Sequence, residues 1–155
     1  IDMGSTIIGG SAFLSIESAE GSSLTTISLM PTFGYFVSPG FMMGGTVSLL
    51  SMSSGGASVT AFGIGPELRY YFNANNIDPE IKGSMYPYLG AFVSFVGESG
   101  SDDNLTQFGG VLGFNQMMSE QLSSEFQFRV FRTSYGNDFN TTTIYFGIGI
   151  TGFLY

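Results

Sequence analysis

The chain has 155 residues and a net charge of −8, and only 10% of its residues are charged, against about 25% in an ordinary soluble domain. The acidic balance argues against nucleic acid as a partner, and the absence of Cys excludes disulfides and thiol chemistry. No apolar run reaches the roughly 18–20 residues of a spanning helix, because Ser, Thr and Gly interrupt every apolar stretch.

Apolar and polar residues alternate with a period of two along nearly the whole chain, and turn residues interrupt the pattern at regular intervals. We predict eight strands, at 5–17, 24–37, 41–53, 58–72, 85–98, 105–117, 122–135 and 141–155. Each is longer than the five or six residues usual in globular sheets, and tilted strands of this length cross a bilayer. Residues 1–155 are therefore predicted to form a single all-β domain, an eight-stranded antiparallel up-and-down transmembrane β-barrel with short loops.

The fourth predicted strand shows which face meets lipid. One of its faces is apolar, with Phe62, Ile64, Pro66, Leu68, Tyr70 and Phe72. The other carries Ala61, Gly63, Gly65, Glu67, Arg69 and Tyr71. A soluble lipocalin-like barrel also alternates, with its apolar face inward. However, its surface would then be nearly uncharged and prone to association. We therefore predict that the apolar faces meet lipid and that small and charged residues fill the lumen.

Four charged side chains fall on the predicted inward face, namely Glu67, Arg69, Glu125 and Arg129. A charge inside a narrow barrel must be paired or remain hydrated. The fourth and seventh strands are not neighbours in the sheet, but their side chains can meet across the lumen. We predict a salt-bridge network that plugs the lumen, with hydrogen bonds from Gln127 and Tyr71. The alternative use of the same residues is a gate or a small-ion path.

The connections between strands form two alternating sets. An even-stranded outer-membrane barrel keeps both termini on the periplasmic side, which predicts that 37–40, 73–84 and 117–121 are periplasmic and 18–23, 54–57, 99–104 and 136–140 extracellular. Aromatic residues cluster beside the first set, at Tyr35, Phe36, Phe41, Tyr70, Tyr71, Phe72, Tyr86, Tyr88, Phe153 and Tyr155. We predict an interfacial aromatic girdle there, assigned to Tyr35, Phe41, Tyr70, Phe72, Tyr86 and Tyr155.

Few other side chains suggest a binding role. Arg132 is the one basic residue on the outward face, where it either contacts a lipopolysaccharide phosphate or is simply solvated at the rim. Asp102, Asp103 and Asp138 lie in predicted extracellular loops, but their spacing matches no metal-binding loop, which favours a solvated loop over a shared divalent cation. No cofactor and no metal site are predicted.

Four segments resemble those of small outer-membrane barrels. They are Ile7–Ile16, then Gly34–Gly40 followed by Met43-Gly44-Gly45, then Ile64–Phe72, and finally Gly147–Tyr155, which is similar to an aromatic-terminated assembly signal. The resemblance is to the OmpA/OmpX-like outer-membrane β-barrel family and covers essentially the whole chain. It implies the outer membrane of a diderm bacterium, reached with a signal peptide that is not visible at Ile1.

The end of the chain departs from that family pattern. Leu154, rather than the final aromatic Tyr155, continues the outward face of the last strand. This predicts either a bulge near Gly152 that shifts the register, or a native chain that continues past Tyr155.

Three alternative functions follow from these patterns. The first is a structural, membrane-stabilising barrel with a plugged lumen, whose partners are outer-membrane lipid, lipopolysaccharide and other membrane proteins. The second is a narrow pore for ions or small solutes, and a third alternative is a subunit of a larger cell-surface assembly. No catalytic residues are predicted, because outer-membrane lipases and deacylases use a Ser–His pair and the chain has no His.

Overall fold

The computed structural model describes residues 3–19, 22–54, 57–72, 83–98, 104–135 and 139–155. Its strands are β1 (Thr6–Ala19), β2 (Ser22–Ser38), β3 (Phe41–Ser54), β4 (Ala57–Tyr71), β5 (Met85–Glu98), β6 (Asn104–Met117), β7 (Leu122–Tyr135) and β8 (Phe139–Leu154). Each strand pairs antiparallel with the next, and β8 pairs with β1 to close the barrel. The all-β fold, the strand number and the up-and-down order are therefore confirmed. Over the described residues, no helix is long and apolar enough to cross a membrane.

The two faces of the barrel wall differ as the alternation predicts. In β4, the apolar residues Ile64 and Leu68 are exposed on the outside, whereas Glu67 and Arg69 are buried inside. The same division holds in β7 and β8, because side chains of successive strand residues point to opposite sides of the sheet. A surface so rich in exposed apolar side chains would associate in water but is solvated by hydrocarbon in a bilayer.

Glycines on the inner face make room for large side chains in a narrow lumen. A Cβ atom added to Gly147 would collide with the ring of Phe13, and one added to Gly113 would lie 2.6 Å from the hydroxyl of Tyr88. Both aromatic rings are buried inside the barrel. Eight strands enclose an interior just wide enough for side chains to fill, so residues without a Cβ set where the large ones fit.

The barrel has two unlike ends. We call the end where β1 begins and β8 finishes the terminal end, and the opposite one the distal end. At the terminal end β2 turns into β3 through Gly40, whose φ of 74° is in the left-handed region that glycine adopts without strain. The register irregularity of this hairpin lies between Phe36 and Ser38.

The last strand is regular to its end. Gly152 pairs with Leu122 on β7 and with Ile8 on β1, and neither register shifts there. The predicted bulge near Gly152 is therefore wrong. Leu154 is exposed on the outward face, in line with Ile150, and Tyr155 follows the strand and is also exposed.

The pairing that closes the barrel is incomplete. β1 and β8 pair from Thr6 and Leu154 only as far as Ala12 and Ile148. By contrast, β1 pairs with β2 up to Ala19, and β8 pairs with β7 up to Phe139. The distal parts of β1 and β8, residues 13–19 and 139–147, therefore form no register pairs with each other. We call this part of the wall the seam.

Candidate functional site

Two strands that are not neighbours in the barrel, β4 and β7, carry the charged site. Glu67 and Arg69 are two residues apart on β4, so both point into the lumen. Glu125 and Arg129 are four residues apart on β7 and also point inward. All four side chains are at most 2% exposed, and the structure brings them into contact within the lumen.

Glu67 binds both arginines. Its Oε1 accepts a hydrogen bond from Arg69 Nε at 2.5 Å. Nη2 of Arg129 donates to Oε1 at 3.2 Å and to Oε2 at 2.9 Å. The hydroxyl of Thr46 on β3 donates to Oε2 as well. The Glu67 carboxylate therefore has an ionic or hydrogen-bonding partner on three strands, which offsets its removal from water.

Glu125 completes the network on the other side. Its Oε1 accepts hydrogen bonds from Arg69 Nη1 and from the Tyr88 hydroxyl, each at 2.6 Å. The Thr151 hydroxyl on β8 donates to Oε2 at 3.2 Å. Arg69 thus joins the two carboxylates. Two carboxylates and two guanidinium groups leave this cluster with no net charge, which is the condition for keeping ionised groups in a low-dielectric interior.

Neutral side chains hold the two arginines in place. Arg129 Nε donates to the Gln127 side-chain carbonyl at 2.8 Å, and Gln127 in turn donates to the Ser11 hydroxyl on β1. Arg69 Nη1 also lies 3.5 Å from the Tyr71 hydroxyl. Each guanidinium packs over an aromatic ring. The distance from Cζ to the ring centroid is 4.7 Å for Arg69 over Tyr88 and 4.8 Å for Arg129 over Phe92.

Several members of the network were not predicted from the sequence. These members are Thr46, Ser11, Thr151 and Tyr88, and each lies on the inward face of its strand. The alternation of the sequence could therefore predict that their side chains point into the lumen. Alternation could not predict their positions along the barrel axis. Those positions depend on the tilt and relative shift of the strands rather than on the pattern within one strand.

An apolar layer lies between the charged network and the terminal end. It consists of Ile7, Phe36, Met42, Tyr71, Tyr86, Tyr88, Val111, Met117 and Phe153, all buried. Tyr71 and Tyr88 belong to both layers, with ring centroids 5.0 Å apart. Aromatic rings and aliphatic side chains therefore fill the lumen below the charges.

This layer corrects the predicted girdle. Tyr86 is 5% exposed and points into the lumen, so its assignment to an outward girdle is wrong. Phe36, Tyr71, Tyr88 and Phe153 from the same aromatic cluster also face inward. Tyr86 was assigned to the girdle because it lies near a predicted periplasmic turn. Alternation along β5 instead places Tyr86 on the same inward face as Tyr88. The outward members of the same predicted cluster are Tyr35, Phe41, Tyr70, Phe72 and Tyr155.

A cavity of about 230 Å³ occupies the distal half of the lumen, above the network. Its apolar wall includes Met30, Leu50, Val96, Leu105 and Phe131, and its polar wall includes Gln107, Thr133 and Thr143. The rings of Phe92 and Phe131, whose centroids lie 5.9 Å apart, are near its lower end, where Phe92 meets Arg129. From the terminal end to the distal end, the lumen therefore holds first the apolar layer, then the charged network and then the cavity.

The remaining predicted sites are peripheral. Arg132 is exposed on the outward face of β7, paired with Phe108 and Thr142 in the distal part of the wall. Asp102, Asp103 and Asp138 lie outside the described residues. Within the described ranges, no group of three or more Asp, Glu, His or Cys side chains could hold a metal ion.

Comparison with known proteins identifies the architecture. No protein-family model and no curated protein matches the sequence. Neisserial surface protein A (NspA) matches with a TM-score of 0.66 and 17% identity over 96% of both chains. The outer-membrane protein OprG from Pseudomonas aeruginosa matches with a TM-score of 0.64 and 16% identity over 99% of this chain and 97% of that one. The fold is that of the eight-stranded outer-membrane β-barrels.

A third structure matches over its whole length. The N-terminal β-barrel domain of Pseudomonas aeruginosa OprF is 13% identical, with a TM-score of 0.59, and the match covers 99% of this chain and 100% of that domain. The resemblance to small outer-membrane barrels is therefore confirmed for the fold. At 13–17% identity these structures show the shared fold alone, and a fold does not by itself determine the function.

Proposed function

We propose that this protein is a non-enzymatic, structural β-barrel of a bacterial outer membrane whose lumen is closed to ions by the charged network. The observation that carries the proposal is the pairing of Glu67 and Glu125 with Arg69 and Arg129 across the lumen. The barrel would be exported to that membrane and inserted with its terminal end toward the periplasm.

The outer membrane is supported by the wall and by the fold. The described outward face carries mostly apolar side chains, and the similar solved structures are outer-membrane barrels. In such barrels the termini and short turns lie on the periplasmic side. This orientation puts the apolar layer at the periplasmic end and the cavity at the extracellular end.

Closure is supported by two successive layers of buried side chains. An ion crossing the network would have to separate Arg69 from Glu125 and Arg129 from Glu67, and each separated charge would lose its partner in a low-dielectric interior. Beyond the network it would meet Phe36, Met42 and Phe153, which are completely buried and have no polar side-chain atoms for an ion. Such a barrel stabilises the membrane through its outer surface rather than by transport.

Planar-bilayer recording tests this function. We expect the reconstituted wild-type barrel to pass no steady ionic current above that of the bare bilayer. As a control, Arg69, Glu125 and Tyr88 are replaced together by Ala, which removes side chains from both layers while the remaining pair, Glu67 and Arg129, stays neutral. A current in the folded triple variant would prove that an open lumen is detectable, and a steady current in the wild type would contradict the proposal.

The second candidate, a narrow pore for ions or small solutes, is favoured by one atom of the network. Arg69 Nη2 is buried, and no described side-chain or backbone group accepts a hydrogen bond from it. A buried charged donor in this condition is costly unless water or a solute reaches it. The same recording separates the candidates, because a pore through the network would conduct in the wild type.

Arg132 is proposed as a contact for lipopolysaccharide. An exposed guanidinium on the outward face near the extracellular rim can form a paired, charge-assisted hydrogen bond with a phosphate. We expect Arg132→Gln to reduce the lipopolysaccharide that co-purifies with the barrel. Gln116→Asn, an exposed polar change on the neighbouring strand β6 near the terminal end, should leave it unchanged. Equal lipopolysaccharide content in the Arg132 variant and the wild type would remove this contact from the proposal.

A further inference from the structure

The seam lies where the barrel wall meets hydrocarbon. On the part of β8 that pairs with β7 but not with β1, the outward residues Ile144 and Phe146 are 62% and 65% exposed. Backbone hydrogen bonds close the wall of a membrane barrel elsewhere because lipid offers no polar partners. At the seam, the ring of Phe13 on β1 contacts the ring of Tyr145 on β8, with centroids 5.4 Å apart. At the start of the seam, this ring contact therefore joins β1 to β8 where a strand pair would otherwise follow, and both rings can change rotamer.

The distal cavity borders the inner side of the seam. Tyr145 and Thr143 line the cavity from the part of β8 that does not pair with β1. The Tyr145 ring centroid lies 5.3 Å from that of Phe131. Among the described residues that line the cavity, none is Asp, Glu, Lys or Arg. It combines aliphatic and aromatic surface with hydroxyl groups and one amide, which suits an uncharged, partly polar molecule.

A groove of about 410 Å³ lies on the lipid side of the same region. It runs over the small residues Gly10, Ala12 and Gly149, at the level where β1 and β8 stop pairing. Met30 lines both this outer groove and the inner cavity. The groove therefore lies over the last paired positions of β1 and β8, directly beside the seam, and it shares Met30 with the cavity.

We propose that the distal cavity is a binding site for one acyl chain of a bilayer lipid, which enters sideways through the seam. The chain would pass from the groove between the rings of Phe13 and Tyr145 and lie against Met30 and Phe131. The medium at this depth is lipid hydrocarbon, which makes a bilayer lipid the occupant that the seam meets first. Thr133, Thr143 and Gln107 would receive the ester or hydroxyl oxygens near the head of the chain.

The size of the cavity agrees with a partial chain. An apolar cavity of about 150 Å³ accommodates a benzene molecule, so a cavity of about 230 Å³ holds a somewhat larger hydrocarbon segment. The charged network forms the floor, with Arg129 directly beneath Phe92. The cavity therefore has a closed lower end. Lipid binding there would be a function in addition to the structural one proposed above, and it does not require a lumen that conducts ions.

Quenching of a single tryptophan by brominated lipid tests the proposal. The chain has no Trp, so Phe131→Trp would report on the cavity alone. In vesicles of phospholipid brominated on its acyl chains, we expect emission to fall about twofold if a chain occupies the cavity for roughly half of the time. Phe146→Trp on the lipid face should be quenched more strongly, and Phe36→Trp in the apolar layer should not be quenched. Val96→Trp, elsewhere on the cavity wall, is a second reporter if Phe131→Trp does not fold.

A disulfide across the seam gives the matched control. Continuing the register beyond Ala12 and Ile148 would pair Leu14 with Phe146. In the Phe131→Trp background, oxidised Leu14→Cys/Phe146→Cys should abolish the quenching and its reduction should restore it. Oxidised Ala12→Cys/Ile148→Cys, where the strands already pair, should leave the quenching unchanged.

Three results would overturn the proposal. They are a cavity tryptophan that brominated phospholipid does not quench, quenching that survives the closed seam, and quenching only by added brominated fatty acid. The first removes the ligand, the second the lateral entry, and the third the bilayer lipid as the source. None of them affects the bilayer recording that tests the structural function.

Discussion

Glu67→Gln should destabilise the barrel by about 3–5 kcal/mol, the usual effect of removing one partner from a buried ion pair. The substitution keeps the shape of the side chain but leaves Arg129 without a carboxylate and removes one of the two carboxylates that face Arg69. The cluster then carries a net positive charge within a low-dielectric interior. The measurement is the free energy of unfolding in lipid vesicles from a urea titration, followed by the gel mobility of folded and unfolded protein.

Two further variants separate charge pairing from other effects. Glu67→Gln combined with Arg129→Met restores neutrality and keeps the contact between Arg69 and Glu125, so it should recover a large part of the lost stability. Glu120→Gln makes the same chemical change at an exposed position in the turn before β7 and should be neutral. If Glu67→Gln unfolded at the same urea concentration as the wild type, pairing across the lumen would not contribute to stability.

Leu112→Arg should lower the stability of the barrel in a bilayer by about 2–4 kcal/mol, the effect of a cation on the lipid face near the midplane. Leu112 is exposed on the outward face of β6, roughly midway between Phe108 and Gln116. The guanidinium at that depth would have to be buried in hydrocarbon or drawn toward one interface, and both are costly. The same urea titration in vesicles measures the effect.

Gln116→Arg is the matched control for depth. Gln116 lies on the same outward face of the same strand, four residues nearer the terminal end, where the wall is already polar. A cation near the interface costs about 0–1 kcal/mol, so the two variants should differ clearly. Equal stability of the two variants would mean that the outward face of β6 is not surrounded by hydrocarbon, and the membrane assignment would then fail.

Alternation within single strands predicts much of the candidate site. Glu67 and Arg69 differ by two positions, and so do Glu125 and Gln127, which places each pair on one face of its strand whatever the rest of the barrel does. The scarcity of charge then decides that this face is the inside. The same reasoning, had it been applied to Tyr86, would have placed that ring in the lumen with Tyr88 instead of in the girdle.

Contacts between strands are not available from such patterns. Glu67 meets Arg129, and Arg69 meets Glu125, although β4 and β7 are not hydrogen-bonded to each other. These distances depend on the tilt of the strands and on the sum of the register shifts around the barrel. Strand tilt and register also decide which neutral side chains join the charged network, namely Thr46, Ser11 and Thr151. They likewise place the cavity above Arg129.

The amino-acid sequence by itself determined the number of strands, their limits to within two residues, and the inward or outward direction of nearly every side chain named above. It did so because the direction of a side chain in a strand depends only on its position in a repeat of two. Only the tertiary structure decided which inward residues share one level, and that β1 and β8 separate beyond Ala12 and Ile148. Both features depend on how the whole barrel closes. Closure is set by the tilt and the register shifts of all eight strands together, which the sequence of any one strand does not specify.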